Sequence, residues 1–129
     1  MQPVIVEHEL MGVVRKYFPS YEVRFAPDKV EGGAVRLIAI RGTHTPIDGV
    51  RGRKSIVDIE VFDASAEGAL STADSVVACL EQAHMRGELP FISTLRMVTL
   101  PSLVESPTSA LSMSVAAFSF MVVGHYLHP

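Results

Sequence analysis

The sequence is poor in cysteine and in charged residues. Cys79 is the only cysteine among the 129 residues, so no disulfide can form within the chain, and we expect a reducing compartment. Charged residues make up 19% of the chain and the formal net charge is -3, which gives no case for nucleic-acid binding from global charge. A charge content below the usual level of about a quarter favours a surface partly covered by partners, although a monomer with a dense core has the same composition.

We expect no segment of the chain to span a membrane, although residues 110–127 are almost uncharged. Serines interrupt this run, and larger apolar residues alternate with small residues between Leu111 and Ala117, which is the pattern of a strand. The run also lacks the basic flank that orients a spanning helix. The pattern therefore predicts a β-strand and no membrane partner.

The sequence motifs of common catalytic, cofactor and metal sites are incomplete. His8 begins a zinc-helix pattern, but Gly12 stands where the second histidine is required. Residues 49–55 resemble a phosphate-binding loop, but one residue separates the second glycine from the lysine, and a strand follows instead of a helix. Cys79 lies among apolar residues, which is typical of an inert core cysteine. We therefore expect no enzyme activity, no cofactor and no metal.

Hydrophobic periodicity predicts two helices and about five strands in a single domain over residues 1–129. The first helix covers about residues 6–17 and ends before Pro19. The second begins after Ser65, a candidate N-cap, and stops at Gly87. The strands are predicted at residues 21–25, 34–41, 55–63, 91–100 and 111–123. This order, with few long crossovers, predicts an α+β fold in which two helices pack on a mostly antiparallel sheet.

A long basic loop is predicted between the second and third strands, over residues 42–54. Its basic cluster consists of Arg41, Arg51, Arg53 and Lys54, and three glycines favour an irregular segment. Long loops in compact domains are usually functional or disordered. We therefore expect these four residues to bind a partner surface or to lie near DNA; a solvated hairpin tip is the alternative.

Two acidic residues share one face of the third predicted strand. Asp58 and Glu60 are two positions apart, so both side chains point to the same side of the sheet. Strand carboxylates usually face solvent or a basic neighbour, whereas in a ring they would meet the next subunit. Asp58 and Glu60 are therefore candidate subunit-interface residues.

Two parts of the chain carry a resemblance to a known family. In residues 57–63 apolar and acidic residues alternate, and this strand runs into a helix with Ala69 and Ala73 on its apolar stripe. Residues 95–100 and 111–123 are closing strands separated by a segment with two prolines. In this order of elements the chain resembles the tail terminator (tail completion) proteins of long-tailed bacteriophages. It departs from the family in its last strand, which is apolar and serine-rich rather than charged.

The resemblance implies a structural virion protein rather than an enzyme. By analogy, the chain forms a hexameric ring that caps the tail tube, ends its polymerisation and joins it to the head connector. Its implied partners are further copies of itself, the tail tube protein, the head-tail connector or stopper protein and, non-specifically, DNA in the lumen. The implied location is the tail or neck of the virion, after assembly in the host cytoplasm.

Three alternatives to a tail terminator stay open at the level of the sequence. The first is another neck or head-tail connector component. The second, of a different class, is a small hot-dog-like thioesterase, which needs a carboxylate or histidine at a substrate-facing helix end; Asp74 is the candidate residue. The third is a host-encoded module that binds another protein through the basic loop.

Overall fold

The computed structural model describes residues 2–3, 6–25, 36–46, 52–104 and 114–127. Within these residues the chain forms two helices, α1 (Val6–Tyr17) and α2 (Ala66–Met85). It also forms six strands, which are β1 (Gln2–Pro3), β2 (Glu22–Phe25), β3 (Leu37–Pro46), β4 (Gly52–Asp63), β5 (Ile92–Val104) and β6 (Ser114–Leu127).

Helix α1 has charges that suit its own dipole. Glu7 and Glu9 lie in the first turn, and Arg15 and Lys16 lie in the last. Carboxylates near the N-terminus and cations near the C-terminus both stabilise a helix. The helix ends just before Pro19, because the residue that precedes a proline disfavours the helical conformation. The predicted bounds of this helix are confirmed.

Helix α2 begins and ends at the two residues that the sequence indicates. The Ser65 side chain accepts a hydrogen bond from the backbone N–H of Gly68, with 3.0 Å between the two atoms, as an N-cap serine does. At the other end, Gly87 takes a φ of 78°, a conformation that is available at little cost only to glycine. The predicted cap and the predicted stop are therefore confirmed.

The strands form one mixed sheet that is mostly antiparallel. Strands β2, β3, β4 and β6 are consecutive neighbours, and both β5 and the short β1 pair with β6. Only β2 and β3 run parallel; the other described pairs are antiparallel. The structure confirms the predicted α+β fold, with two helices on a sheet of five main strands. The two-residue strand β1 was not predicted, because it is too short to show any periodicity.

The predicted long loop over residues 42–54 is not confirmed. Residues 42–46 extend β3 and residues 52–54 begin β4, in a continuous antiparallel ladder that pairs Thr43 with Ile56 and Thr45 with Lys54. Strand β6 gives β4 a second partner in this region, since Gly52 is paired with His125. Backbone pairing on both sides holds polar residues in a strand that hydropathy alone assigns to a loop. Residues 47–51 lie outside the described part of the chain.

Strands β5 and β6 are also longer than predicted. Strand β5 continues through Pro101 to Val104, where the sequence indicates a loop. Proline has no backbone N–H to donate. It is tolerated there because β5 has β6 as its one main neighbour among the described strands, so no hydrogen bond is required on its other side. The ladder is shifted three times along β5, between Ile92 and Ser102, which lets the strand absorb irregular residues as bulges. Strand β6 runs on to Leu127 instead of ending at residue 123.

Both helices pack on the same face of the sheet, which we call the inner face. Val57, Ile59 and Val61 of β4 point to this face and are fully buried. The apolar stripe of α2 packs against them, and its alanines allow the helix to lie close to the sheet. We call the opposite face, which carries Lys54, Ile56, Asp58, Glu60 and Phe62 of β4, the outer face.

Helix α1 approaches β6 closely at a glycine. A Cβ atom added to Gly124 would lie 2.6 Å from the Cγ1 atom of Val6, which is itself buried. A side chain at this position therefore requires the Val6 side chain or α1 to move. Gly12, on the exposed side of α1, has no heavy atom within 4 Å of the position of an added Cβ.

These two glycines are expected to respond to alanine in opposite directions. Gly124→Ala forces overpacking against Val6 and should lower the free energy of unfolding by about 1–3 kcal/mol. Gly12→Ala should raise it by about 1 kcal/mol, because alanine is the better helix former. Urea unfolding followed by circular dichroism measures both. Equal stability of the two variants would show that α1 does not rest on Gly124.

A polar cluster joins β2, β4 and α2 at one end of the sheet. The Tyr21 hydroxyl donates a hydrogen bond to the Asp63 carboxylate and lies 2.9 Å from the Thr72 hydroxyl. Asp63 is buried and also accepts a hydrogen bond from the backbone N–H of Ala64, at 2.6 Å. Burial, followed by the hydrogen bond to Asp63, raises the pKa of Tyr21 above its ordinary value.

Tyr21→Phe should therefore have an effect that depends on pH. Near pH 8 we expect a loss of about 1 kcal/mol, because one hydrogen bond is removed. The contribution of Tyr21 is complete below the pKa of a free tyrosine, about 10, and is lost as the pH rises through its raised folded-state value. The stability difference from wild type should thus shrink at alkaline pH, as measured by urea unfolding. Tyr17→Phe, at an exposed position, is the control, and a pH-independent difference would contradict the assignment.

Candidate functional site

The strand register sets four rows of side chains across the outer face. Residues that are directly opposite each other in neighbouring strands point to the same side of a sheet. The ladders of β3, β4, β6 and β5 therefore place the following residues in line, row by row. The rows are Thr43, Ile56, Met121 and Arg96; Arg41, Asp58, Ser119 and Thr99; Ala39, Glu60, Ala117 and Ser102; and Leu37, Phe62, Val115 and Val104.

The two middle rows line an open groove of about 510 Å³ on the outer face. The polar groups that line this outer-face groove are two carboxylates, one guanidinium and three hydroxyls. They belong to Asp58, Glu60, Arg41, Thr99, Ser102 and Ser119. Ala117, Phe118 and Val104 complete its lining. The groove therefore combines charged groups with an apolar surface, as protein interfaces do.

The charged groups of the outer-face groove are not neutralised by each other. Arg41 is opposite Asp58 in the ladder, but within the described part of the chain neither residue forms an ion pair within 4.0 Å, and nor does Glu60. Arg41 and Asp58 are exposed, and Glu60 is half-buried. These side chains keep their hydration in the isolated chain and are available to a partner.

The hydroxyl groups of the groove are held more firmly. The Ser119 hydroxyl donates a hydrogen bond of 2.9 Å to the Thr99 hydroxyl. Ser119 is buried in the floor of the groove, whereas Thr99 is exposed at its side. This hydrogen bond links β6 to β5 beside a shift in the β5–β6 register. It therefore orients Thr99, in the wall of the groove, where the backbone ladder is irregular.

The structure brings together residues that the sequence treats as two separate features. Arg41, assigned to the basic loop, lies beside Asp58, assigned to a subunit interface, on one face of one sheet. Lys54 is exposed on the same face, two rows from Asp58. Arg53 lies in β4, but its side chain is outside the described part of the structure. Arg51 lies outside the described residues.

A third basic residue on the outer face, Arg96, is not marked by any pattern in the sequence. Arg96 of β5 is opposite Met121 of β6, in the row that also contains Ile56. Its side chain is exposed. In sequence Arg96 is an isolated cation, and only the register places it on the same face as Lys54, with β6 between their two strands. Thr99, Ser102 and Ser119 were missed for the same reason, since no local motif marks them.

The distal part of β5 exposes a group of large apolar side chains. Leu100 is 69% exposed and Val98 is 57% exposed. Leu103 and Val104 are also exposed. An apolar strand at the edge of a sheet is a liability in a free monomer, and it usually marks a binding surface. Pro101 and the register shifts blunt the backbone of this edge, so its side chains are the better candidates for contact.

A second groove, of about 470 Å³, lies beside α1 and differs in its electrostatics. Glu88 accepts hydrogen bonds from Tyr17 at 2.9 Å, Lys16 at 3.2 Å and Arg86 at 2.9 Å. The same three donors lower the pKa of Glu88. Burial raises the pKa of Glu9 in this groove, partly offset by a hydrogen bond from the Phe91 backbone N–H. Lys16, Arg86 and Glu88 thus satisfy one another, whereas the Oε2 atom of Glu9 is buried without a hydrogen-bond partner among the described residues. The outer-face groove has more exposed charges that lack a described partner, which favours it as the site.

The remaining candidates for catalysis do not converge on either groove. Asp74 is exposed on α2 and lines neither of them. Burial raises the pKa of the Cys79 thiol, and a smaller effect of Arg86 opposes it, so the reactive thiolate is disfavoured. The described residues contain no group of three or more metal-ligating side chains. None of the helices in the described ranges is long and apolar enough to cross a membrane.

Asp58 and Glu60 are expected to contribute little to folding. The double variant Asp58→Asn with Glu60→Gln removes both charges and keeps the side-chain shapes. Since neither carboxylate has an ionic partner in the described chain, the free energy of unfolding should change by less than about 0.5 kcal/mol per substitution. Thermal melting measures this change. A loss above about 2 kcal/mol would show that these carboxylates are structural.

Comparisons with known proteins leave the geometry as the main guide to function. No protein-family model matches this chain, and no curated protein matches it at a significant level. The fold and the outer-face groove therefore have to be interpreted from their own chemistry. The chain is an α+β domain with helices on the inner face of its sheet and, on the outer face, an open groove with unpaired charges.

Proposed function

We propose that this chain is a structural protein of a long-tailed bacteriophage. It caps the tail tube, ends the polymerisation of the tube and joins it to the head connector. It does so as a hexameric ring in the tail or neck of the virion, after assembly in the host cytoplasm. Its partners are further copies of itself, the tail tube protein and the connector or stopper protein.

The observation that carries this proposal is the exposed apolar part of β5. Val98, Leu100, Leu103 and Val104 lie within seven consecutive positions at an edge of the sheet, and all four are exposed. Exposing large apolar side chains to water costs roughly 25 cal/mol per Å² relative to covering them. A structural protein that is covered by neighbours in its assembly has a reason to keep such a surface, whereas a free monomer does not.

The family resemblance gives the proposed tail function further support, through the arrangement of β4 and α2. The alternating strand β4 lies between β3 and β6, and it leads into α2 through the Ser65 cap. The Ala69 and Ala73 side chains are fully buried against the sheet. This strand and helix are one of the two features on which the resemblance to tail terminator proteins rests. The other, two closing strands separated by a segment with two prolines, is altered because β5 continues through Pro101 to Val104. The resemblance is an analogy of fold, and function has to be tested at the surfaces.

A ring places a requirement on the surfaces of each subunit. It needs two different surfaces that fit each other, so that the contact closes by rotation. The apolar side chains of β5 and the charged outer-face groove are two chemically different surfaces that neighbours can cover, each with a partner surface of matching chemistry. If DNA passes through the lumen, basic residues near it would contact phosphates without reading the base sequence.

The thioesterase alternative has less support. A hot-dog-like enzyme requires a carboxylate or histidine of the central helix that faces substrate, and Asp74 is exposed away from both grooves. Another neck component would use the same kinds of surface as a terminator. Capping of tube ends is the property that separates a terminator from such a component.

The proposal is tested first by mass and then by capping. Light scattering of the purified chain, over a range of protein and salt concentrations, should give a discrete hexamer. Tail tubes assembled from the tube protein of the same genome should stop growing when the chain is added, and electron microscopy should show it at tube ends. Tubes that continue to lengthen at saturating protein would rule out the terminator function.

The basic residues on either side of Gly52 are expected to act in docking. Arg51→Glu combined with Arg53→Glu should leave the melting temperature unchanged but weaken binding to tube ends, because two attractive charges become repulsive. We expect a loss on the order of a hundredfold in the concentration needed for capping. Arg51→Lys with Arg53→Lys is the matched control, since it keeps the charge. Normal capping by the glutamate variant would remove these residues from the docking surface.

A further inference from the structure

The outer face carries opposite charges at its two ends. Arg96 is exposed on β5, in the row of Ile56. Lys54 is exposed at one end of β4, and Asp58 and Glu60 line the groove towards the other. Ile56 lies between them and is 36% exposed. Along β4 the outer face thus changes from basic to apolar to acidic within a single strand.

The charges at the two ends do not satisfy each other within one chain. Lys54 and Asp58 are four residues apart in a strand, which corresponds to about 13 Å, beyond the screening length of about 8 Å at physiological salt. No described residue forms an ion pair with either of them or with Arg96. Other charges on the surface do find partners. Those pairs are Lys16 with Glu88, Arg86 with Glu88, and Arg24 with Glu22.

We infer that the outer face is a contact between copies of this chain. In this contact Lys54 and Arg96 of one copy meet the groove of another copy at Asp58 and Glu60. The charges are complementary, because besides Arg41 the outer face presents two unpaired cations and two unpaired carboxylates. Arg41 lies beside Asp58 and leaves the groove with one net negative charge, so the groove still attracts a cation.

The occupant follows from this arrangement. A second copy is the partner that fits, because its outer face offers both the cations and the carboxylates that lack ionic partners in the described chain, with Ile56 beside them. This inference rests on the proposed self-assembly and names the surface that performs it.

Two charge-swap variants test the contact. The first, Asp58→Lys with Glu60→Lys, makes the groove basic. The second, Lys54→Glu with Arg96→Glu, makes the two basic positions acidic. Each variant alone sets like charges against each other and should weaken self-association on the order of a hundredfold. An equimolar mixture restores opposite charges at every contact and should recover the wild-type mass in light scattering.

A matched control separates the surface from net charge. Asp74→Lys with Glu81→Lys changes the net charge as the first swap does, but at exposed positions of α2, and it should leave the mass unchanged. Wild-type association should also weaken as salt is raised, because the contact is electrostatic. Melting curves of all variants establish that the fold is intact.

The possible outcomes separate this inference from the proposed function. It is overturned if either swap variant keeps the wild-type mass, if the mixture stays dissociated, or if the wild-type chain is monomeric at every concentration. A wild-type oligomer that the swaps dissociate but that fails to cap tubes overturns only the tail function. A swap variant that keeps its mass and caps tubes overturns only the outer-face contact.

Discussion

The pairing of β4 with β6 is the constraint on which the other features of this protein depend. The ladder runs without a shift from Gly52 opposite His125 to Asp63 opposite Ser114. Because side chains alternate along a strand, this register decides which residues are buried and which reach the outer face; a slip of one position would exchange the two sets. Val57 and Ile59 would then lose their place under the helices.

The two faces of the sheet differ in what they contribute to folding and to binding. The inner face is covered by α1 and α2, and the burial of its apolar residues supplies most of the favourable free energy of folding. The outer face has a buried apolar cluster at one end, formed by Leu37, Ala39, Phe62 and Val115. Its exposed charges stay hydrated, so they cost little in the isolated chain. A surface of this second kind is suited to reversible contact with partners, because its specificity comes from complementary charge rather than from a preformed apolar core.

The sequence was most informative where a residue acts locally. Ser65 and Gly87 have backbone roles that depend on their own chemistry and on their neighbours in the chain, and both were assigned correctly. The extent of the strands was less predictable. Residues 42–46 and the segment around Pro101 are strands because β4 and β6 supply backbone partners. No property of those residues themselves indicates this pairing, so local propensity favours a loop there.

The amino-acid sequence by itself determined the class of fold, the two helices with their ends, and the faces of the main strands, because these depend on period and on local backbone chemistry. The groove was decided only by the tertiary structure. Arg41 meets Asp58 through pairing of distant segments, and Arg96 reaches the same face from another strand. Such neighbours depend on which residues of different strands are paired. The order of residues along one strand does not show this pairing.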